Sequence, residues 1–96
     1  MIIDKEIINE SIKKYGIGMQ TVVCMEELAE LIKELSKILR GKKNQENLIE
    51  ELADVYICLE TIKQINIVDD NKLQCEIYRK QERQRKRMLE SKSENG

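Results

Sequence analysis

Histidine, proline, tryptophan and phenylalanine are all absent from this chain of 96 residues. Without histidine, the chain can form neither Ser-His nor Cys-His catalytic pairs, nor the zinc and di-iron sites that use histidine. A bound metal must then be held mainly by oxygen, which favours hard cations such as Mg²⁺ or Mn²⁺. With no proline and only four glycines, the composition also favours helix.

Large aromatic side chains are scarce, since three tyrosines are the only aromatic residues. A chain of this length makes one domain at most, and small chains bury a limited fraction of their surface. A core built without Phe or Trp is thin, and association between copies is the usual remedy. The sequence therefore predicts a homo-oligomer, with a dimer and a tetramer both compatible.

Charge is plentiful but balanced, with 17 basic and 18 acidic residues that make up 36% of the chain. Such a balance does not mark an overall binder of nucleic acid or of membranes. No apolar run approaches the roughly 18 residues that a membrane-spanning helix needs. Charges also interrupt the first residues, MIIDKEII, where a signal peptide needs an apolar segment. We therefore expect a cytoplasmic protein without membrane contact.

The three cysteines, Cys24, Cys58 and Cys75, are an odd number and show no C-x-x-C spacing. This pattern does not indicate a disulfide framework. Because a free cysteine usually behaves as a small apolar residue, we expect buried side chains or free thiols.

Four helices are predicted, over about residues 4–15, 21–40, 45–66 and 71–90, and no strand-like alternation persists. The short link between the second and third helices predicts an antiparallel hairpin. Residues 1–90 are thus expected to form a single helical domain, and the polar tail 91–96 is expected to be disordered. The predicted N-caps are Asp4, Thr21 and either Asp69 or Asp70, and the predicted stops are Gly16, Gly18 and Gly41.

An acidic motif occurs twice, as EELAE at residues 26–30 and as EELAD at residues 50–54. A spacing of three places Glu27 and Glu30 on neighbouring positions of one helix face, and Glu51 and Asp54 repeat this on the next helix. Both pairs lie at the margin of an apolar stripe. When the hairpin folds, the two margins can face each other and four carboxylates can converge on one point.

A solvated acidic face, balanced by lysines three or four residues downstream, is the alternative. The first motif partly allows it, because Lys33 and Lys37 each follow a glutamate by three residues. The second motif does not, because no basic residue stands three or four places after Glu50, Glu51 or Asp54. Carboxylates set among apolar residues carry a desolvation cost, and a divalent cation is the simplest group that would offset it.

The motif pair, E-x-x-E followed after 20 residues by E-x-x-D, resembles the all-α nucleoside triphosphate pyrophosphohydrolases. The forms EELxE and EELxD are most similar to the MazG-like branch, and the resemblance covers about residues 20–80. It implies a four-helix MazG-like bundle with a central antiparallel helical hairpin, completed by oligomerisation. It also implies Mg²⁺-dependent cleavage of an NTP or dNTP between the α and β phosphates, giving a monophosphate and pyrophosphate.

The resemblance also implies roles for individual residues of this chain. The last helix departs from the family at position 76, which is Glu where the family often has Asn. The implied Mg²⁺ ligands are Glu27, Glu30, Glu51 and Asp54. The candidates for orienting a water or taking its proton are Glu26, Glu30, Glu34 and Glu50. The candidate phosphate contacts are Lys33, Lys37, Lys72 and Arg79.

Residues 79–87, RKQERQRKR, contain six basic residues and no apolar one. The simplest interpretation is a solvated helix end, since cations near a helix C-terminus are favoured by the helix dipole. A nucleic-acid contact is the alternative, although the stretch has no aromatic residue to stack on bases. Two non-enzymatic functions thus stay open: a helical oligomeric binding or regulatory module, and an adaptor that contacts nucleic acid through residues 79–87.

Overall fold

The computed structural model describes residues 1–95, which form four α-helices. No strand occurs in these 95 residues, so the all-α prediction is confirmed. No helix in the described chain is both long enough and apolar enough to cross a bilayer. The helices are α1 (Lys5–Tyr15), α2 (Ile17–Leu39), α3 (Gln45–Ile65) and α4 (Asp70–Asn95).

The first helix begins and ends where its sequence predicts, but the second begins four residues early. The Asp4 carboxylate caps α1 by accepting hydrogen bonds from two backbone N–H groups, and Gly16, at φ 90°, ends it. Helix α2 starts immediately afterwards, so Gly18 lies inside it. The prediction of Thr21 as an N-cap is wrong, because its hydroxyl donates to the Ile17 carbonyl at 2.8 Å within the helix.

The fourth helix is capped by one of the two predicted aspartates and runs further than expected. The Asp69 carboxylate accepts from the Lys72 N–H at 3.0 Å, and the helix begins at the next residue. Its last described residue is Asn95, whereas the sequence predicted an end at Glu90. Residues 91–95 of the predicted tail 91–96 therefore continue the helix, and Gly96 lies outside the described residues.

The hairpin of α2 and α3 forms the centre of the fold, and α1 packs against both of its helices. Its helices are antiparallel, so the start of α2 meets the later part of α3: the Cys24 thiol donates to the Cys58 carbonyl at 3.7 Å. The apolar core is as thin as the composition predicts. Its buried apolar residues are Ile8, Cys24, Val55 and Cys58.

Helix α4 stands away from the rest of the chain. The Lys63–Asp70 ion pair, at 2.6 Å, ties its first residue to α3, but no other described helix packs along it. The radius of gyration is accordingly 17.3 Å, whereas a compact chain of 100 residues has about 13 Å. Many large apolar side chains are exposed, including Leu39 at 90% and Ile32 at 69%. A single chain thus leaves much of its apolar surface uncovered.

Helices α2 and α3 both end in a Schellman turn, in which the second residue past the helix has a left-handed backbone. That residue is Gly41 after α2, at φ 78°, and Ile67 after α3, at φ 51°. A β-branched residue is strained there, because its Cβ crowds the backbone. The paired hydrogen bonds are Gly41 N–H to Ile38 O and Lys42 N–H to Lys37 O, then Ile67 N–H to Gln64 O and Val68 N–H to Lys63 O.

Replacing Ile67 by glycine is expected to stabilise the protein by about 1 kcal/mol, because relief of left-handed strain exceeds the entropy cost of glycine. Little packing is lost, since Ile67 is 90% exposed. Thermal unfolding followed by circular dichroism measures the change. The matched control, Gly41→Ile, is expected to lower the midpoint, because isoleucine is strained at φ 78°. No described atom lies within 4 Å of the added Cβ, so the loss would come from the backbone conformation. A lower midpoint for Ile67→Gly would show that Ile67 contributes packing instead.

Candidate metal centre

Three carboxylates from the two acidic motifs meet between α2 and α3. Glu27, Glu51 and Asp54 each place one oxygen within 4.8 Å of those of the other two, and each is partly buried. The sequence geometry explains this meeting, because Glu51 and Asp54 lie three residues apart on one face of α3 and the antiparallel hairpin brings Glu27 opposite them. Three of the four predicted metal ligands therefore converge.

The electrostatics of this cluster favour uptake of positive charge. Burial, contact with Asp54 and the charges of Asp54, Glu51 and Glu30 together raise the pKa of Glu27 above its ordinary value. Burial, followed by the charges of Glu30, Asp54, Glu34 and Glu50, likewise raises the pKa of Glu51. Both effects have the same cause: negative groups are crowded together in a partly desolvated place.

Glu30, the fourth predicted ligand, is exposed and lies outside the group of three. Its charge still acts on the cluster, since it contributes to the raised pKa values of both Glu27 and Glu51. Glu30 thus lies beside the cluster, at its solvent edge.

Glu34 is the carboxylate that the sequence interpretation undervalued. It is only 5% exposed, and its charge is among those that raise the pKa of Glu51. At about 100° per residue, Glu34 lies about 20° around α2 from Glu27, whereas Glu30 lies about 60° away. The seven-residue spacing thus indicates that Glu27 and Glu34 share one face of α2, although spacing alone does not show that this face is buried.

Two buried thiols lie next to the carboxylate cluster. Cys24 and Cys58 are 3% and 5% exposed and contact each other across the hairpin. Burial, the Cys24 contact and the nearby charges of Glu27 and Asp54 raise the pKa of Cys58 to about 12. Both cysteines are free, as is the exposed Cys75. A neutral thiol is a poor metal ligand, so these two side chains are apolar packing next to the carboxylates.

The remaining predicted site residues lie at varying distances from this cluster. Glu26 and Glu50 are exposed, next to Glu27 and Glu51 in sequence. Lys37 lies on α2 with its ammonium 3.8 Å from Glu34 Oε2. Lys33 is exposed, and no ion pair joins it to another described side chain.

The predicted contacts on α4 are not brought to the cluster within one chain. Lys72 is an exposed residue of the first turn of α4. Arg79 is paired with Glu76 three residues earlier on the same helix. Since α4 packs along none of the other described helices, these cations can reach an acidic cluster only on another copy or after α4 moves. Their role as phosphate contacts stays a prediction.

The cluster has the chemistry of a site for a hard divalent cation. Its donors are carboxylate oxygens from two rigid helices, which suits Mg²⁺ or Mn²⁺, and no lysine or arginine of the described chain forms an ion pair with Glu27, Glu51 or Asp54. Searches of protein-family models, curated proteins and solved structures found no match to this chain. Function is therefore inferred from the residues and their geometry.

Proposed function

We propose that this protein is a Mg²⁺-dependent nucleoside triphosphate pyrophosphohydrolase, which cleaves an NTP or dNTP between the α and β phosphates. The observation that carries the proposal is the meeting of Glu27, Glu51 and Asp54 within 4.8 Å. These are residues of the two motifs that resemble the MazG-like enzymes. The crowding of the carboxylates, without a basic partner, supports a cation as the missing counter-charge.

The donor set fits the implied metal. Glu27, Glu51 and Asp54, with Glu30 at the solvent edge, would hold Mg²⁺ or Mn²⁺. When bound, the ion supplies charge neutralisation for the phosphates and lowers the pKa of a coordinated water. The buried oxygen Oε2 of Glu51 has no hydrogen-bond partner in the part of the chain that the structure describes. It fits this role because a buried carboxylate oxygen without a donor is costly.

The exposed carboxylates beside the cluster are suited to handling the attacking water. Glu26, Glu30 and Glu50 are solvent-exposed, and the charges of Glu30 and Glu50 act on Glu51. One of these three carboxylates is the proposed acceptor of the proton of that water. Lys33 and Lys37 follow on α2, where their ammonium groups can meet phosphate oxygens.

A homo-oligomer is part of the same proposal. The exposed apolar side chains of α2 and α3, and the isolation of α4, support assembly of at least two copies. Assembly would also allow Lys72 and Arg79 of one copy to approach the acidic cluster of another. The basic side chains of α4 would then contact a substrate that is bound at the acidic cluster of another subunit.

A screen of canonical and damaged nucleoside triphosphates tests the proposed activity. With Mg²⁺ present, we expect at least one substrate to release equal amounts of pyrophosphate and nucleoside monophosphate, and we expect EDTA to stop the release. Orthophosphate instead of pyrophosphate would contradict cleavage at the α–β bond. No release from any substrate would favour a binding or regulatory module. A salt-dependent gel shift with RNA or DNA would then point to residues 79–87, whose helix projects from the bundle.

A further inference from the structure

Glu34 is buried to a degree that is unusual for a carboxylate. It is 5% exposed and is the one charged residue in the described chain that is buried. Burying an ionised carboxylate is costly unless it is paired or hydrogen-bonded. The surroundings of its two oxygens therefore decide what its burial means.

Among the described residues, neither oxygen of Glu34 has a hydrogen-bond donor. Oε1 is buried and accepts no hydrogen bond. Oε2 lies 3.8 Å from Lys37 Nζ, which is beyond hydrogen-bonding distance, and the Lys37 side chain is 39% exposed. A single, partly solvated lysine at that distance offsets little of the desolvation cost of the Glu34 carboxylate.

Glu51 has the same deficit on the facing helix. Its Oε2 is also buried without a hydrogen-bond partner, and Glu34 is among the charges that act on it. Two buried oxygens without donors among the described residues, one on α2 and one on α3, thus belong to carboxylates close enough for the charge of Glu34 to act on Glu51. Glu34 lies roughly 10 Å further along α2 than Glu27, toward the link of the hairpin, and Glu51 lies nearer that link than Asp54 does.

We propose that Glu34 and Glu51 hold a second divalent cation, adjacent to the one assigned to Glu27, Glu51 and Asp54, with Glu51 bridging the two. The inference rests on the proposed function and extends it from one cation to two. The ligand class is a hard cation, Mg²⁺ or Mn²⁺, because every donor is a carboxylate oxygen. Paired cations about 3.5–4 Å apart stabilise both the attacking and the leaving oxygen in phosphoryl chemistry, which suits a pyrophosphate leaving group.

Counting bound Mn²⁺ on the full-length, metal-stripped protein tests this inference without any substrate. Electron paramagnetic resonance of free Mn²⁺, with isothermal titration calorimetry, gives the number of sites and their affinities. We expect two Mn²⁺ per wild-type chain. In Glu34→Gln we expect one tight site to persist, with the affinity of the other reduced at least about tenfold. The control Glu10→Gln, an exposed substitution on α1, is expected to keep both.

The possible outcomes separate this inference from the proposed function. One Mn²⁺ per wild-type chain, unchanged in Glu34→Gln, would overturn the second site and leave the first standing. No bound Mn²⁺ would overturn both. Two Mn²⁺ with unchanged affinity in Glu34→Gln would exclude Glu34 as a ligand. If Glu34→Gln fails to fold by circular dichroism, Glu34→Asp keeps the charge but shortens the reach, and the same loss of one site is expected there.

Discussion

Glu51→Gln and Asp54→Asn are each expected to lower Mg²⁺-dependent pyrophosphate release by at least about 100-fold. Loss of a group that merely supports a metal ligand costs about 10–100-fold, and these residues are assigned as ligands themselves. The amides keep nearly the shape of the acids, and both residues lie within α3. The helix content is therefore expected to stay unchanged.

Steady-state release of pyrophosphate, measured over a range of Mg²⁺ concentrations, provides the test. The matched control is Glu46→Gln, which makes the same chemical change at an exposed position in the first turn of α3, away from the cluster. We expect that variant to keep wild-type turnover. Near-normal activity in Glu51→Gln or Asp54→Asn would refute the carboxylate site, whatever the substrate.

Stability of the metal-free protein gives a second readout of the same substitutions. The pKa of Glu51 is raised in the folded state, so the folded protein binds a proton more tightly than the unfolded chain does. Its contribution to stability is therefore present at low pH and is lost as the pH rises through the folded pKa. We expect Glu51→Gln to remove part of this dependence and to be at least as stable as the wild type at neutral pH, because one repulsive charge is gone.

Ile57→Glu is expected to dissociate the proposed oligomer or to unfold the chain. Ile57 belongs to an exposed apolar surface of α3 and is 47% exposed. It also lines a groove between α3 and the first residues of the chain. We propose this surface as the interface between copies, since exposed apolar patches mark interaction sites. A charge left unpaired in a buried interface costs about 3 kcal/mol or more, which is a change of more than about 100-fold in Kd. Exposed apolar residues of α3 that line the same groove are Ile49, Leu52 and Tyr56.

Analytical ultracentrifugation measures the effect. The wild-type protein is expected to sediment as a dimer or larger at micromolar concentration, and Ile57→Glu as a monomer or as unfolded chain. Ser36→Glu is the control, because it adds the same charge at an exposed polar position of α2. A compact, stable wild-type monomer would contradict assembly. Loss of assembly in both variants would point to net charge instead of the apolar surface.

Local signals in the sequence predicted the helices better than they predicted contacts. The Asp4 cap and the glycine after α2 set their helix ends as expected, because these are interactions within a few residues. The start of α2 was missed because it has no capping side chain. A hydrogen bond from the Ser11 hydroxyl to Gln20 Oε1, at 3.0 Å, instead ties that turn to α1. A contact between two helices cannot be predicted from the local sequence of either one.

The candidate site likewise has a part that the sequence predicted and a part that it did not. Helical spacing and a short hairpin link were enough to predict that Glu27, Glu51 and Asp54 meet. The burial of Glu34 could not be predicted, because Lys37 stands three residues later and suggests an ordinary surface pair. In the structure that lysine is too distant to hydrogen-bond. Spacing thus predicts which side chains can meet, but desolvation depends on the packing of both helices.

The proposed assembly would make the helicity of α4 depend on contacts between copies, because α4 packs against no other described helix. The helix has 26 residues, yet most helical stability in proteins comes from packing one face against a neighbour. Within one chain, and among the described residues, α4 is joined to the rest through its first turn, by the Lys63–Asp70 ion pair. If copies pack on α4 as proposed, mass action makes the helix content depend on protein concentration. On dilution we then expect α4 to lose helix while the hairpin of α2 and α3 persists. The far-ultraviolet circular dichroism signal of this protein would thus follow a binding isotherm.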